Sequence, residues 1–153
     1  MADKQLEKEI ADYIAGAKWA VFATVKDGKV PALRTIGGFA NDGLNIYFST
    51  GKETDKVKQI EKNSNVAVFF QHEGQERAKF KYVSVNGEAT LLSDKPGLDS
   101  AVTVLGNKNQ NFKQRVEKGE LDKIAVYKIS PKNIRSVDFS RGSGPASVLA
   151  FSV

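Results

Sequence analysis

The run Tyr47-Phe48-Ser49-Thr50-Gly51-Lys52-Glu53-Thr54-Asp55-Lys56 holds the densest set of groups able to do chemistry in this 153-residue chain. Hydroxyls and lysines around a glycine can cradle a phosphate monoester: Ser49, Thr50 and Thr54 would donate hydrogen bonds, and Lys52 or Lys56 would supply the counter-charge. A plainer reading has Thr54 capping a helix and the lysines solvated. Asp55 leans toward the plainer reading, because it puts a negative charge where an anion would sit. Arg34 is the second candidate. It stands in the otherwise apolar Pro31-Ala32-Leu33-Arg34-Thr35-Ile36-Gly37, and arginine is rarely buried without a partner. A phosphate or carboxylate would be such a partner; the alternative is that Arg34 points to solvent on the outer face of its strand.

Other chemistries are excluded by inventory. The chain has no cysteine, so disulfides, thiolate metal sites and cysteine nucleophiles are impossible. It has one histidine, His72, which makes the usual zinc sites and a Ser-His-Asp triad improbable. His72 ends a strand beside a polar connection and is expected to face solvent, whereas Trp19 is expected in the core. The net charge of +5 can attract nucleic acid, anionic lipid or a phosphorylated small molecule. Aromatics interleaved with basic residues on one strand face, as base stacking needs, are sparse, so nucleic acid is not the expected partner. No run approaches the ~20 apolar residues of a membrane helix, and the charged start lacks a secretory h-region. The expected location is the cytoplasm, away from any membrane.

The elements that position the candidates follow from periodicity and turn signals. Leu6, Ile10 and Ile14 predict a helix over Lys4 to Ile14 that closes at Gly16. The runs Trp19–Lys26, Val30–Ala40 and Leu44–Thr50, separated by Asp27-Gly28 and Asn41-Asp42-Gly43, predict an antiparallel meander. Glu53 to Asn63 predicts a second helix with Val57 and Ile60 inward and Thr54 as its N-cap. That helix starts directly beyond the third strand, where free N–H groups and a positive dipole end face an anion. Val66–His72 and Tyr82–Leu92 predict strands, with Gly87 marking a bulge or a close backbone approach. Asp94 caps a third helix with Pro96 in its first turn. Leu105–Asp122 reads as loop with at most a short helix. Ile124–Ile129 and Ile134–Phe139 read as two strands joined by Ser130-Pro131-Lys132-Asn133. No linker divides the chain, so residues 1–153 are expected to form one α+β domain. Its antiparallel sheet of six to seven strands is expected to curl into a barrel with flanking helices.

An arginine in strand two, a Phe-Ser-Thr end to strand three and a lysine in the next helical turn make the chain resemble the pyridoxamine 5′-phosphate oxidase-like family. The general-stress-protein-like branch is the nearer one, and the resemblance runs from Trp19 to about Asp94. Its clearest piece is the helix start Thr54-Asp55-Lys56 with Val57–Asn63 and the following Val66-Ala67-Val68-Phe69-Phe70. The resemblance implies an FMN-binding split β-barrel. It implies that Lys56 contacts the FMN phosphate, that Thr54 takes the place of the family's serine, and that Arg34 approaches the phosphate or ribityl chain. Thr35 and Ile36 would offer backbone groups to the isoalloxazine edge, and Phe48 and Ser49 match the family's Tyr-Thr pair. Asp55 stands where the oxidase has an arginine, so phosphate affinity is weaker or Lys52 supplies the charge.

The resemblance also implies a homodimer with flavin in a groove between subunits, completed by Tyr82 or Lys81 of the other chain. Apolar residues in Phe69-Phe70 and Val148–Phe151 would serve that pairing. The oxidase's C-terminal set of Arg, His and Trp has no counterpart in Ser140–Ala146, which argues against vitamin B6 oxidation. The expected function is therefore an FMN-dependent oxidoreductase with an unidentified small-molecule substrate or electron donor and no identifiable acid or base. The alternative is a non-catalytic flavin, deazaflavin or haem binding protein.

Overall fold

Asp27 and Gly28 both take positive φ, 52° and 78°, and turn the chain back on itself between the first two strands. The computed structural model describes residues 3–153. In chain order the elements are α1 (Lys4–Ala15), β1 (Ala20–Lys26), β2 (Val30–Ile36), β3 (Phe39–Asp42), β4 (Asn45–Gly51), α2 (Asp55–Lys62), β5 (Asn65–Gln71), β6 (Lys81–Leu91), α3 (Lys95–Lys108), α4 (Gln110–Glu117), β7 (Ile124–Asp138) and β8 (Val148–Ser152). The fold is α+β, as the sequence implies, with eight strands rather than six or seven.

All strands pair antiparallel, in the order β2-β1-β5-β6-β7-β4-β3, with β8 added to β7. Three strands separate β1 from β4, which a flat sheet would hold about 19 Å apart at ~4.8 Å per strand. Yet the rings of Phe22 on β1 and Phe48 on β4 lie 4.9 Å apart. The sheet therefore curls around one apolar centre, to which both end strands contribute, Ile36 from β2 and Phe39 from β3. Those ends form no ladder with each other, so the barrel stays split.

The expected three-strand meander is not what forms. Gly37-Gly38 interrupts the second run, so β2 pairs with β1 while β3 pairs with β4, at opposite ends of the sheet. Leu105–Asp122 is also more ordered than expected. Asn109 accepts a bond from the Phe112 N–H at 3.2 Å and caps α4 directly after α3 ends, so a residue that reads as a loop signal is the corner between two helices. Ala101, Leu105 and Phe112 bury this helix pair against Tyr47 and Val126, on the face of β4 and β7 away from the barrel centre. The last two expected strands are one continuous β7, which crosses Ser130–Asn133 opposite a bulge at Asn86/Gly87. Gly87 is there for close approach: a Cβ would sit 2.3 Å from the Ser130 carbonyl oxygen.

Candidate functional site

Alternation along β1 turns Phe22 and Thr24 inward, 0% and 2% exposed. Arg34 lies opposite Phe22 in the β1–β2 register and follows the same face, not the solvent face. Its Nη1 donates to Thr24 Oγ1 at 2.7 Å and to the Ala32 carbonyl at 3.1 Å, and its Nη2 donates to Gln59 Oε1 at 2.8 Å. Thr24 Oγ1 in turn donates to Gln59 Oε1, which closes a three-member network between β1, β2 and α2. Every partner of the guanidinium is neutral. Burial lowers the Arg34 pKa from its ordinary value, and the nearby Asp55 carboxylate offsets part of that.

Lys56 lies on the first turn of α2, which Val57 and Ile60 anchor in the apolar centre. Its pKa is pushed down first by burial and then by the positive charge of Arg34, with Asp55 acting the other way. Neither Arg34 nor Lys56 is ion-paired among the described residues. Two partly desolvated cations thus lie near enough for Arg34 to lower the pKa of Lys56, with the Asp55 carboxylate acting on both, an arrangement that an anion would relieve.

The other expected site residues divide. Thr54 sits at the N-cap position but forms no side-chain cap bond; its hydroxyl donates to the Gly51 carbonyl at 3.0 Å and lies 3.4 Å from Thr50 Oγ1. The expected cap is thus replaced by a turn contact. Thr50 shares the inner face of β4 with Phe48, whereas Ser49 points to the opposite face, so the three hydroxyls do not converge on one point. Phe48 is fully buried between Phe22 and Tyr127, which leaves only its backbone for a ligand. Ile36 is likewise buried, and Thr35 is exposed on the outer sheet face. Lys52 is exposed and lines a separate concavity with Val57 and Glu61. Tyr82 alternates with the buried Val83 and packs at a tilt against Phe69, ring centres 4.7 Å apart, on the sheet face opposite Arg34.

Two expectations are corrected nearby. Trp19 is 57% exposed instead of buried, because strand alternation from the buried Ala20 turns it outward. Its ring borders a groove of about 900 Å³ that also takes in Gly38, Ser49 and Lys108. His72 does not face solvent freely: it stacks on Tyr13 with ring centres 3.8 Å apart, and Nε2 lies 2.8 Å from the Tyr13 carbonyl. Sequence reasoning passed over Thr24, Gln59 and Lys108. Thr24, a hydroxyl at an inward β1 position, carried a readable signal; Gln59 and Lys108, set among other polar helix residues, carried none.

This geometry can be set beside known proteins. The family model for pyridoxamine 5′-phosphate oxidase matches residues 6–138, and so spans β1, β2, β4 and α2, which build the site. The chain belongs to that family. General stress protein 26 of Bacillus subtilis (strain 168) is 26% identical over 144 residues, covering 88% of this chain and 90% of the relative. The oxidase-family fold recurs in the crystal structure of general stress protein 26 from Bacillus anthracis str. Sterne, at 23% identity and a TM-score of 0.69, with 97% of this chain and 99% of that one covered. A haem binding protein from Mycobacterium smegmatis shares the fold at a TM-score of 0.80 and 11% identity, over 99% of this chain and 60% of that one. Among the described residues no helix is long and apolar enough to cross a membrane.

Proposed function

We propose that this chain is an FMN-binding flavoprotein and an FMN-dependent oxidoreductase, with the phosphate held by Arg34 and Lys56. The observation that carries the reading is the pair itself: two partly desolvated cations on β2 and α2, neither ion-paired among the described residues. These residues fit a phosphate monoester. The Arg34 guanidinium is oriented by Thr24 and Gln59, which leaves N–H groups free, and the Lys56 ammonium adds a second charge. Thr50 lies on the inner face of β4 and can donate, whereas the one hydroxyl proton of Thr54 is already given to the Gly51 carbonyl and Ser49 points to the other face. Bound FMN would supply the redox chemistry, while these residues hold and orient it.

A haem reading has less support in this chain. Its one histidine would have to leave both the Tyr13 ring and the Tyr13 carbonyl to serve as an axial ligand.

The family resemblance favours a homodimer, and the outer face of the sheet suits it. Leu33 and Val21 are 69% and 36% exposed there, beside Phe69 and Tyr82. Phe70 is fully buried and takes no part, contrary to the sequence expectation. Tyr82 on that face would then reach the partner's flavin and not its own.

Calorimetry with FMN, riboflavin and FAD on flavin-free protein tests the reading. FMN should bind at least about tenfold more tightly than riboflavin, which leaves both cations without an anion. Riboflavin within about threefold of FMN would overturn the placement of the phosphate.

A further inference from the structure

Trp19 is the one tryptophan of the chain, and more than half of it is open to solvent. The ring is nevertheless held in place. It lies so close against Gly37 that a Cβ there would come within 2.7 Å of Cζ3. In this position it forms part of the wall of the 900 Å³ groove that runs to the corner between α3 and α4.

Lys18, Lys108 and Arg115 also line that groove, and among the described residues no aspartate or glutamate does. Lys18 pairs with Glu73 at 3.7 Å, and Arg115 Nε pairs with Glu120 at 3.3 Å. Lys108 has no acidic partner among the described residues. The residue as a whole is exposed, but its Nζ donates to the Ala17 carbonyl at 3.2 Å and sits 3.9 Å from the centre of the buried Phe39 ring. Lost hydration at that point lowers its pKa. An ammonium has three N–H groups, and one carbonyl uses one of them.

We infer that this groove binds a small aromatic carboxylate, its anion at the Lys108 ammonium and its ring against the Trp19 indole. The unpaired cation selects a negative charge, and the fixed exposed indole offers a stacking surface. Ser49 and the side-chain amides of Gln110 and Asn111 supply neutral polar contacts around it. As a binding site it stands apart from the flavin reading; as the seat of the molecule acted on it rests on that reading, since Ser49 near the end of β4 and Gly38 just beyond β2 adjoin the residues beside which the flavin would lie.

The single tryptophan makes the test direct. The FMN-loaded protein is titrated with 4-nitrobenzoate, and with the neutral 4-nitrobenzamide, while Trp19 fluorescence is followed. Saturable quenching by the acid is expected, with the amide at least about tenfold weaker. Lys108→Gln should weaken the acid by roughly ten- to a hundredfold, the range of a lost charge-assisted hydrogen bond. Lys18→Gln, whose lysine already has Glu73, should change it by less than about threefold. FMN binding to Lys108→Gln should match wild type, which also shows that the variant folds. If it does not fold, Gly37→Ala, which displaces the indole, should weaken acid and amide together. Equal affinity for acid and amide, retained affinity in Lys108→Gln, or displacement of the acid by FMN would each overturn the inference. Loss of FMN binding alone, with 4-nitrobenzoate still bound, would instead overturn the flavin reading.

Discussion

Arg34 Nη2 meets Gln59 Oε1 at 2.8 Å and so ties the edge strand β2 to α2 across the inner face of β1. Because Gln59 and Thr24 are neutral, they fix the guanidinium without cancelling its charge. A carboxylate at either place would have satisfied Arg34 and removed its use to an anion.

Arg34→Ala and Lys56→Ala should therefore each weaken FMN binding by roughly tenfold to over a hundredfold, the equivalent of about 1.5–3 kcal/mol for a charge-assisted hydrogen bond. Lys58 is exposed, two residues further along the helix, and Lys58→Ala should change affinity by less than about threefold. Arg34→Ala should cost only about 1 kcal/mol of stability, since Thr24 and Gln59 keep each other as partners. Flavin fluorescence quenching and urea unfolding read the two effects separately. Equal affinity losses at Lys56 and Lys58 would refute the phosphate placement.

How much of this was legible in the sequence depended on whether the signal was local. Periodicity and turn residues are local, which is why α1, α2, β1, β5 and the bulge glycine at 87 could be read directly. The split of the second run was not, because Gly37-Gly38 looks like a flexible strand interior until β3 is known to pair at the other end of the sheet. Ser49 and Thr50 looked like one donor set because they are adjacent, yet adjacency in a strand puts them on opposite faces. Arg34 was found because a charge in an apolar run stands out, and Lys56 because it lies in a run dense in hydroxyls and lysines at a helix start, whereas Gln59 and Lys108 sit among other polar helix residues. Nothing in their spacing says that one will meet Arg34 and the other will fold back onto Phe39.

Gly87→Ala should be among the most damaging single-methyl additions available. The new Cβ would fall 2.3 Å from the Ser130 oxygen and 3.0 Å from its carbonyl carbon, both backbone atoms that cannot swing aside. Relief requires β6 and β7 to part at the bulge, at a cost of about 1–3 kcal/mol for overpacking, or more. Thermal unfolding of the variant should show a clear drop in Tm. An unchanged Tm would mean that the two strands are not in contact there.

Tyr127 offers the opposite case. Its ring stacks on Phe48 at 5.0 Å and is 1% exposed, but its hydroxyl is buried without a hydrogen-bond partner. Burial, with a contribution from Glu61, raises its pKa, so the group stays neutral at physiological pH. Tyr127→Phe removes an unsatisfied polar atom and keeps the stacking, so stability should be unchanged or higher by up to about 1 kcal/mol. Denaturant unfolding decides it: a loss of more than about 1 kcal/mol would mean that the hydroxyl has a partner.

The pH dependence of binding isolates Lys56. In the flavin-free protein its pKa lies below the ordinary lysine value of 10.5, first because burial removes hydration and second because Arg34 repels the charge. Between that lowered value and 10.5 the folded chain binds fewer protons at Lys56 than the unfolded chain, so this contribution to stability rises with pH through the window. A bound phosphate reverses the balance, since it favours the ammonium form. FMN affinity should therefore fall as pH rises through the lowered value, earlier than an unperturbed lysine would dictate. Lys56→Arg keeps its charge throughout and should show a flatter profile over the same range. Calorimetric titrations with FMN from neutral pH upward compare the two proteins directly. Identical profiles would mean that Lys56 is not the titrating contact and that the phosphate lies elsewhere.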